Sequence, residues 1–262
     1  LSSQPPTFEF NLAESFPVLT KPPVVEVVLD VRCEGSESFT ETSASEMLKD
    51  RLVGYPNFFS TREVRHHVQF NPDQPTEAST GPPTWSGFQF KSADNLNTAQ
   101  FAPGLFFFSR VAPYLGWPHF VEEVTGLWEQ YRDIAQPVRI LRMGLRFINR
   151  IDLREDPASL DQYLRTAPRS PEGLEVSLGG FFQGDLLIVP GTSYSINSMR
   201  TNVPPPAPGM GRGSLILDTD VFATEGLDGG NDKLLGHLEK MRWLKNKVFF
   251  GTVTSHALEP YL

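Results

Sequence analysis

Arginine, repeated every fourth residue along an otherwise apolar run, is the first chemistry this sequence offers. Residues 138–151 read VRILRMGLRFINRI and place Arg142, Arg146 and Arg150 on one ladder. The run has the branched and aromatic content of a strand, where side chains alternate between two faces. Arg142, Gly144, Arg146, Ile148 and Arg150 then share one face with Ile140. Leu141, Met143, Leu145, Phe147 and Ile151 form the other face, directed at a core. Arginines four residues apart sit roughly 13 Å apart, so this is a spaced ladder and not a cluster. A guanidinium donates paired hydrogen bonds to a carboxylate or phosphate, so Arg142 and Arg146 could line a groove for an anionic small ligand. Gly144 leaves a gap between them where another group can approach the backbone.

Two other strands supply acids. Glu26 and Asp30 lie on the polar face of one, and Asp218 and Asp220 on the polar face of the other. If the three strands share a sheet, the plainer reading is cross-strand ion pairing, each pair worth a few tenths of a kcal/mol to about 1 kcal/mol. The ladder could equally form a protein interface, where Arg is enriched. The enzymatic rival uses Asp218 and Asp220. Carboxylates at i and i+2 on one strand face can share a divalent cation, with Asp185 as a third candidate, although oxygen-ligated sites need more ligands than two. No other cofactor is expected.

Other familiar chemistry is missing. The single cysteine, Cys33, excludes an internal disulfide and falls on an apolar strand face, as an inert thiol would. His66 and His67 are adjacent, so a strand turns them to opposite faces. There is no HExxH, CxxC or GxSxG motif. GMGRGS at 209–214 precedes a strand and lacks the GK[ST] ending of a phosphate loop. The net charge of -8 disfavours sequence-independent nucleic-acid binding. No apolar run reaches the roughly 20 residues of a membrane span, and LSSQPPTFEFNLAESF has no basic, then apolar, export signal. One cysteine and no span lead us to expect a cytoplasmic protein.

The elements that must position these residues follow from periodicity. Strands are predicted at 22–35, 63–70, 85–94, 97–111, 138–151, 192–202 and 214–224. A bent strand or hairpin is predicted at 174–190. Helices are predicted at 43–55, 117–134, 159–166 and 232–254, with Leu234, Leu235, Leu238, Met241, Leu244, Val248 and Phe249 as the stripe of the last. Residues 1–20 read as an extended lead-in. Proline-rich loops fall at 71–84 and 203–213. Both halves run strands, a Pro-rich loop, a strand and a long helix. The expected fold is therefore α+β, one domain over 1–262. Its largely antiparallel sheet packs on two long amphipathic helices, with 22–151 and 152–262 as suspected related halves.

Four segments in this order, PPVVEVVLDVR, RMGLRFINRI, LILDTDVF and LEKMRWLKNKVFFGTVT, give the chain a further resemblance. It resembles a sporadically distributed family of uncharacterised bacterial proteins of about this length. That family shares a PxVE start, a GLR(Y/F)INRI block and a final FFxx(I/V)T. The resemblance marks Glu26, Gly144, Arg146, Asn149, Arg150 and Thr254 and brings no catalytic residue. The family's patchy distribution implies horizontal transfer, and with it a defence-associated or toxin–antitoxin-like role. Together these readings point to a non-enzymatic binding or interaction protein with a protein partner or a second copy of itself. A metal-dependent hydrolase or nuclease is the alternative.

Overall fold

The computed structural model describes residues 8–48, 51–70, 77–154, 159–173, 176, 178–205, 212–228 and 230–262. The chain is α+β. Its elements are β1 (Val24–Glu34), α1 (Glu41–Leu48), β2 (Asn57–Glu63), β3 (His66–Gln69), β4 (Glu77–Thr80), β5 (Thr84–Lys91), β6 (Asn97–Ala102), β7 (Leu105–Val111), α2 (Trp117–Ala135) and β8 (Arg139–Asp152). They continue with α3 (Leu160–Tyr163), β9 (Phe182–Ile188), β10 (Tyr194–Val203), β11 (Ser214–Ala223), α4 (Asn231–Thr252) and α5 (Ser255–Leu258). Nine strands form one sheet in the order β2-β5-β6-β7-β1-β8-β11-β10-β9, and β3 and β4 form a separate pair. Every paired neighbour is antiparallel.

Aromatic residues carry the core. Phe101 on β6 and Phe106 on β7 meet Tyr131 on α2 with ring centroids 5.5 and 5.7 Å apart, and Phe106 meets Trp128 at 5.3 Å. Leu145 and Phe147 of β8 join Leu234, Leu238 and Met241 of α4 in the same buried cluster. Each large apolar side chain withdrawn from water contributes about 1.5–3 kcal/mol. The Cys33 thiol is buried in this cluster, and burial pushes it up to about 12, outweighing a hydrogen bond with Tyr131. Among the described residues no helix is long and apolar enough to cross a membrane.

Several elements differ from their predicted bounds. Residues 97–111 are two strands, because Gly104 turns the chain with φ +75° after Pro103. Residues 63–70 divide between the end of β2 and β3. The first helix covers 41–48, and among the described residues of 174–190 the strand is 182–188. The loops at 71–84 and 203–213 lie partly outside the described residues, as does GMGRGS.

One change of face matters for the site. The pairing of β8 with β1 shifts register so that Arg142 opposes Arg32 but Ile140 opposes Cys33. Leu141 is the extra residue of a β-bulge, which reverses the alternation. Ile140 therefore turns to the core at 9% exposure and Leu141 outward at 42%, the reverse of simple alternation.

Candidate functional site

Strands β1, β8 and β11 lie side by side, with β8 between the other two. Asp30 opposes Gly144, Asp218 opposes Ile148 and Asp220 opposes Arg146. Each arginine reaches diagonally to an acid nearer the end of β8. Arg142 donates to Asp30 Oδ1 and, at 2.8 Å, to Asp220 Oδ2, and its guanidinium lies 5.1 Å from the centre of the Phe222 ring. Arg146 donates through Nε to Asp218 Oδ1 at 2.8 Å and through Nη2 to Oδ2. Arg150 pairs with the exposed Asp152 two residues on, at 3.0 Å.

The structure thus brings Arg142, Arg146, Asp30, Asp218 and Asp220 together, with Glu26 close enough to help hold the Arg146 guanidinium protonated after Asp218. Burial raises the Asp220 carboxyl above its usual range despite the attraction of Arg142. The Asp218 side chain is 8% exposed and that of Arg146 46%, so this pair is more than a solvated surface contact. The gap beside Gly144 is filled. A Cβ there would lie 2.6 Å from Asp30 Oδ1 and would also collide with the Arg142 guanidinium.

Guanidinium groups also occupy the two aspartates considered for metal binding. Asp185 lies on the opposite sheet face, beside Ser198, and pairs with Arg200 at 3.5 Å. Among the described residues no three His, Cys, Asp or Glu side chains converge to hold a metal ion. Two motif residues act elsewhere. Thr254 caps α5 by accepting from Ala257 N at 3.2 Å and donates to the Gln162 carbonyl. Asn149 turns inward, buried, with Nδ2 3.5 Å from the Leu217 carbonyl.

That inward turn leads to a site that periodicity alone passes over. Asn149 lines a cavity of about 450 Å³ between the N-terminal segment, the start of β1, the β7–α2 turn and α4. The N-terminal segment is a strap laid along α4. Glu14 accepts from Trp243 Nε1 at 3.0 Å and Lys247 Nζ at 2.9 Å. Phe10 meets Trp243 edge-on at 5.7 Å, and Phe16 stacks on Phe250 at 5.6 Å.

Four charged groups line this cavity. Glu14 is engaged with Lys247. Glu239 accepts from Trp117 Nε1 at 2.6 Å and from Arg242 at 3.4 Å. Lys245 has neither an ion pair nor a hydrogen bond among the described residues. Its Nζ lies 4.0 Å from the centre of the Phe147 ring. It is half-buried and lines the cavity. Burial, and then repulsion by Arg242, push its ammonium down to about 7. Tyr114, also on the wall, meets Phe147 edge-on at 5.8 Å, and burial raises its phenol.

The overlooked signal was in the helix stripe. Leu238, Met241, Lys245 and Phe249 follow at spacings of three and four, so a lysine occupies a core position. Phe8, Phe10, Glu14 and Phe16 were similarly legible as a segment with something to bury. A scan of family models and a search of curated proteins each found no match to the chain.

Proposed function

We propose that this is a non-enzymatic binding protein whose small ligand occupies the cavity between the N-terminal strap and α4. The observation that carries this is the cavity itself, of about 450 Å³. It falls within the usual range for small-molecule sites, and its wall mixes apolar residues such as Phe16, Val24 and Phe249 with charged and polar ones. The reading takes the two long helices as the backing of one sheet face, which leaves the arginine face outward as a platform whose charges are mutually satisfied. The bacterial, cytoplasmic and defence-associated setting implied by the resemblance belongs to the same proposal. The rival hydrolase or nuclease would first have to free Asp218 and Asp220 from Arg146 and Arg142.

The test is binding of a neutral fluorescent probe, N-phenyl-1-naphthylamine. Enhancement saturating at one probe per chain, and lost in Ser15→Trp on the cavity wall, is the expected result. No enhancement, or enhancement that Ser15→Trp leaves intact, would remove the cavity from consideration.

A second reading, pairing of two copies, is favoured by β9. This sheet-edge strand exposes Phe182, Leu186 and Ile188 and contains neither Lys nor Pro. Antiparallel pairing with the same strand of another copy would be self-complementary. Sedimentation of wild type against Leu186→Lys tests it, and identical monomeric profiles would end it.

A further inference from the structure

We infer that the cavity selects an organic monocarboxylate with an apolar body, its carboxylate seated on Lys245 and its body against Phe16, Val24 and Phe249. This rests on the cavity being a binding site and names what it takes. The argument is one of charge balance. Every other charged group on the wall already has an opposite charge or a hydrogen-bond donor within reach, as described above. Lys245 alone carries a cation with no counter-charge, and an aromatic ring is its only described partner. A half-buried cation with no counter-charge has lost part of its hydration without gaining a partner, and an incoming anion supplies that partner.

One unmatched cation suits one negative charge. A phosphate monoester brings nearly two at neutral pH, and the nearest additional cation, Arg242, is engaged with Glu239. The wall also includes Trp117, the first residue of α2, but the residue after it is Pro118, which has no backbone N–H to offer an anion. Tyr114 and Asn246 line the same space without a side-chain hydrogen bond among the described residues. They can serve the second carboxylate oxygen or a polar group on the ligand body.

Binding must also depend on pH. The titratable groups that line the cavity with Lys245 are Glu239 and Arg242 from its own helix, Glu14 from the strap and Tyr114 from the turn before α2, and Arg242 acts on Lys245 by repulsion. From β8, Asn149 lines the cavity and Phe147 lies against Lys245, and neither side chain titrates. Lys245 changes charge near neutrality, with its ammonium near 7. The carboxylate should therefore bind most tightly below that point, and at pH 8 its binding should draw a proton from solution.

The experiment uses 1-naphthaleneacetic acid and its primary amide, which share shape and differ in charge. Each displaces N-phenyl-1-naphthylamine from the wild-type protein and from Lys245→Gln. The acid is expected to bind wild type at least about tenfold more tightly than the amide at pH 6, as a charge-assisted contact to a half-buried ammonium without a counter-charge implies. That preference should shrink by pH 9 and vanish in Lys245→Gln, which still binds the neutral probe. Equal binding of acid and amide to wild type, or a preference that survives Lys245→Gln, overturns the assignment while leaving the cavity as a site. Failure of the neutral probe to bind either protein overturns the cavity reading, and this inference with it.

Discussion

The Lys245 ammonium lies 4.0 Å from the centre of the Phe147 ring, while the preceding residue, Arg146, turns to the other sheet face and is gripped by Asp218. Adjacent residues of β8 thus serve two sites of opposite character. On one face, cation and anion match. On the other, a cation waits beside an aromatic ring in a cavity.

Lys245 should weaken the free protein at neutral pH. Its pKa of about 7 in the fold lies below that of the unfolded chain, about 10.4. Between these values the unfolded state binds more protons, so stability rises with pH across that window, and the charging penalty is complete below it. Lys245→Met should be more stable than wild type at pH 7 by on the order of 1–2 kcal/mol, a figure discounted because the cavity admits solvent. Urea denaturation at pH 6, 8 and 10 should show the difference narrowing as pH rises. A constant difference would mean that Lys245 does not titrate there.

Arg146→Ala should cost about 1–3 kcal/mol, because it strips both hydrogen bonds from the buried Asp218 carboxylate. Arg150→Ala, at an exposed pair, should cost under about 0.5 kcal/mol. Equal losses would show that burial of Asp218 does not matter. In the same melts Mg²⁺ or Mn²⁺ should leave the wild-type Tm in place. A rise abolished by Asp218→Asn would revive the metal-dependent alternative through linkage.

Gly144→Ala should break a specific pair and spare the fold. The new methyl would meet the movable ends of Asp30 and Arg142, so a loss of about 1–2 kcal/mol is expected. In a cycle with Asp30→Asn the two losses should fall short of additivity. Additive losses would place the clash elsewhere.

The strap should loosen in acid. Lys247, with Trp243, holds the Glu14 carboxyl below its ordinary value against the opposing effect of burial. The support it provides is therefore present above the unfolded value, about 4.3, and is lost as pH falls through the lower folded value. Limited proteolysis should cut wild type between residues 12 and 19 faster below that range, and should cut Glu14→Gln faster at pH 7. Equal cleavage of the two proteins at pH 7 would assign the hold to Phe10 and Phe16 alone.

Much of this architecture was legible in the amino acids. The alternation in β1 and β8, the aromatic stripe of α2 and the spacing of Asp218 and Asp220 are local patterns, and the expected α+β class with an antiparallel sheet follows from them. Partnership was not legible. Whether an arginine meets an acid or a ligand depends on which strands are neighbours and in what register, and both are long-range properties. The bulge at Leu141 lies in the pairing with β1, so no reading of β8 alone could place it. The cavity was hidden for a related reason. Its walls are residues 12–24, the β7–α2 turn and α4, which come together only in the folded chain, and in the sequence Lys245 reads as one more polar residue beside the apolar stripe of its helix.

The bulge has a consequence for mutational tolerance along β8. From residue 143 to 151 odd positions should resist changes of volume because they fill the interior, whereas on the even set Arg146 should resist loss of its charge and Gly144 any added side chain. At Leu141 that rhythm should slip by one, so that position 140 joins the volume-sensitive set and position 141 accepts nearly any side chain. A saturation scan of this strand would then print the backbone irregularity directly into its substitution profile, as a phase change between two regular beats.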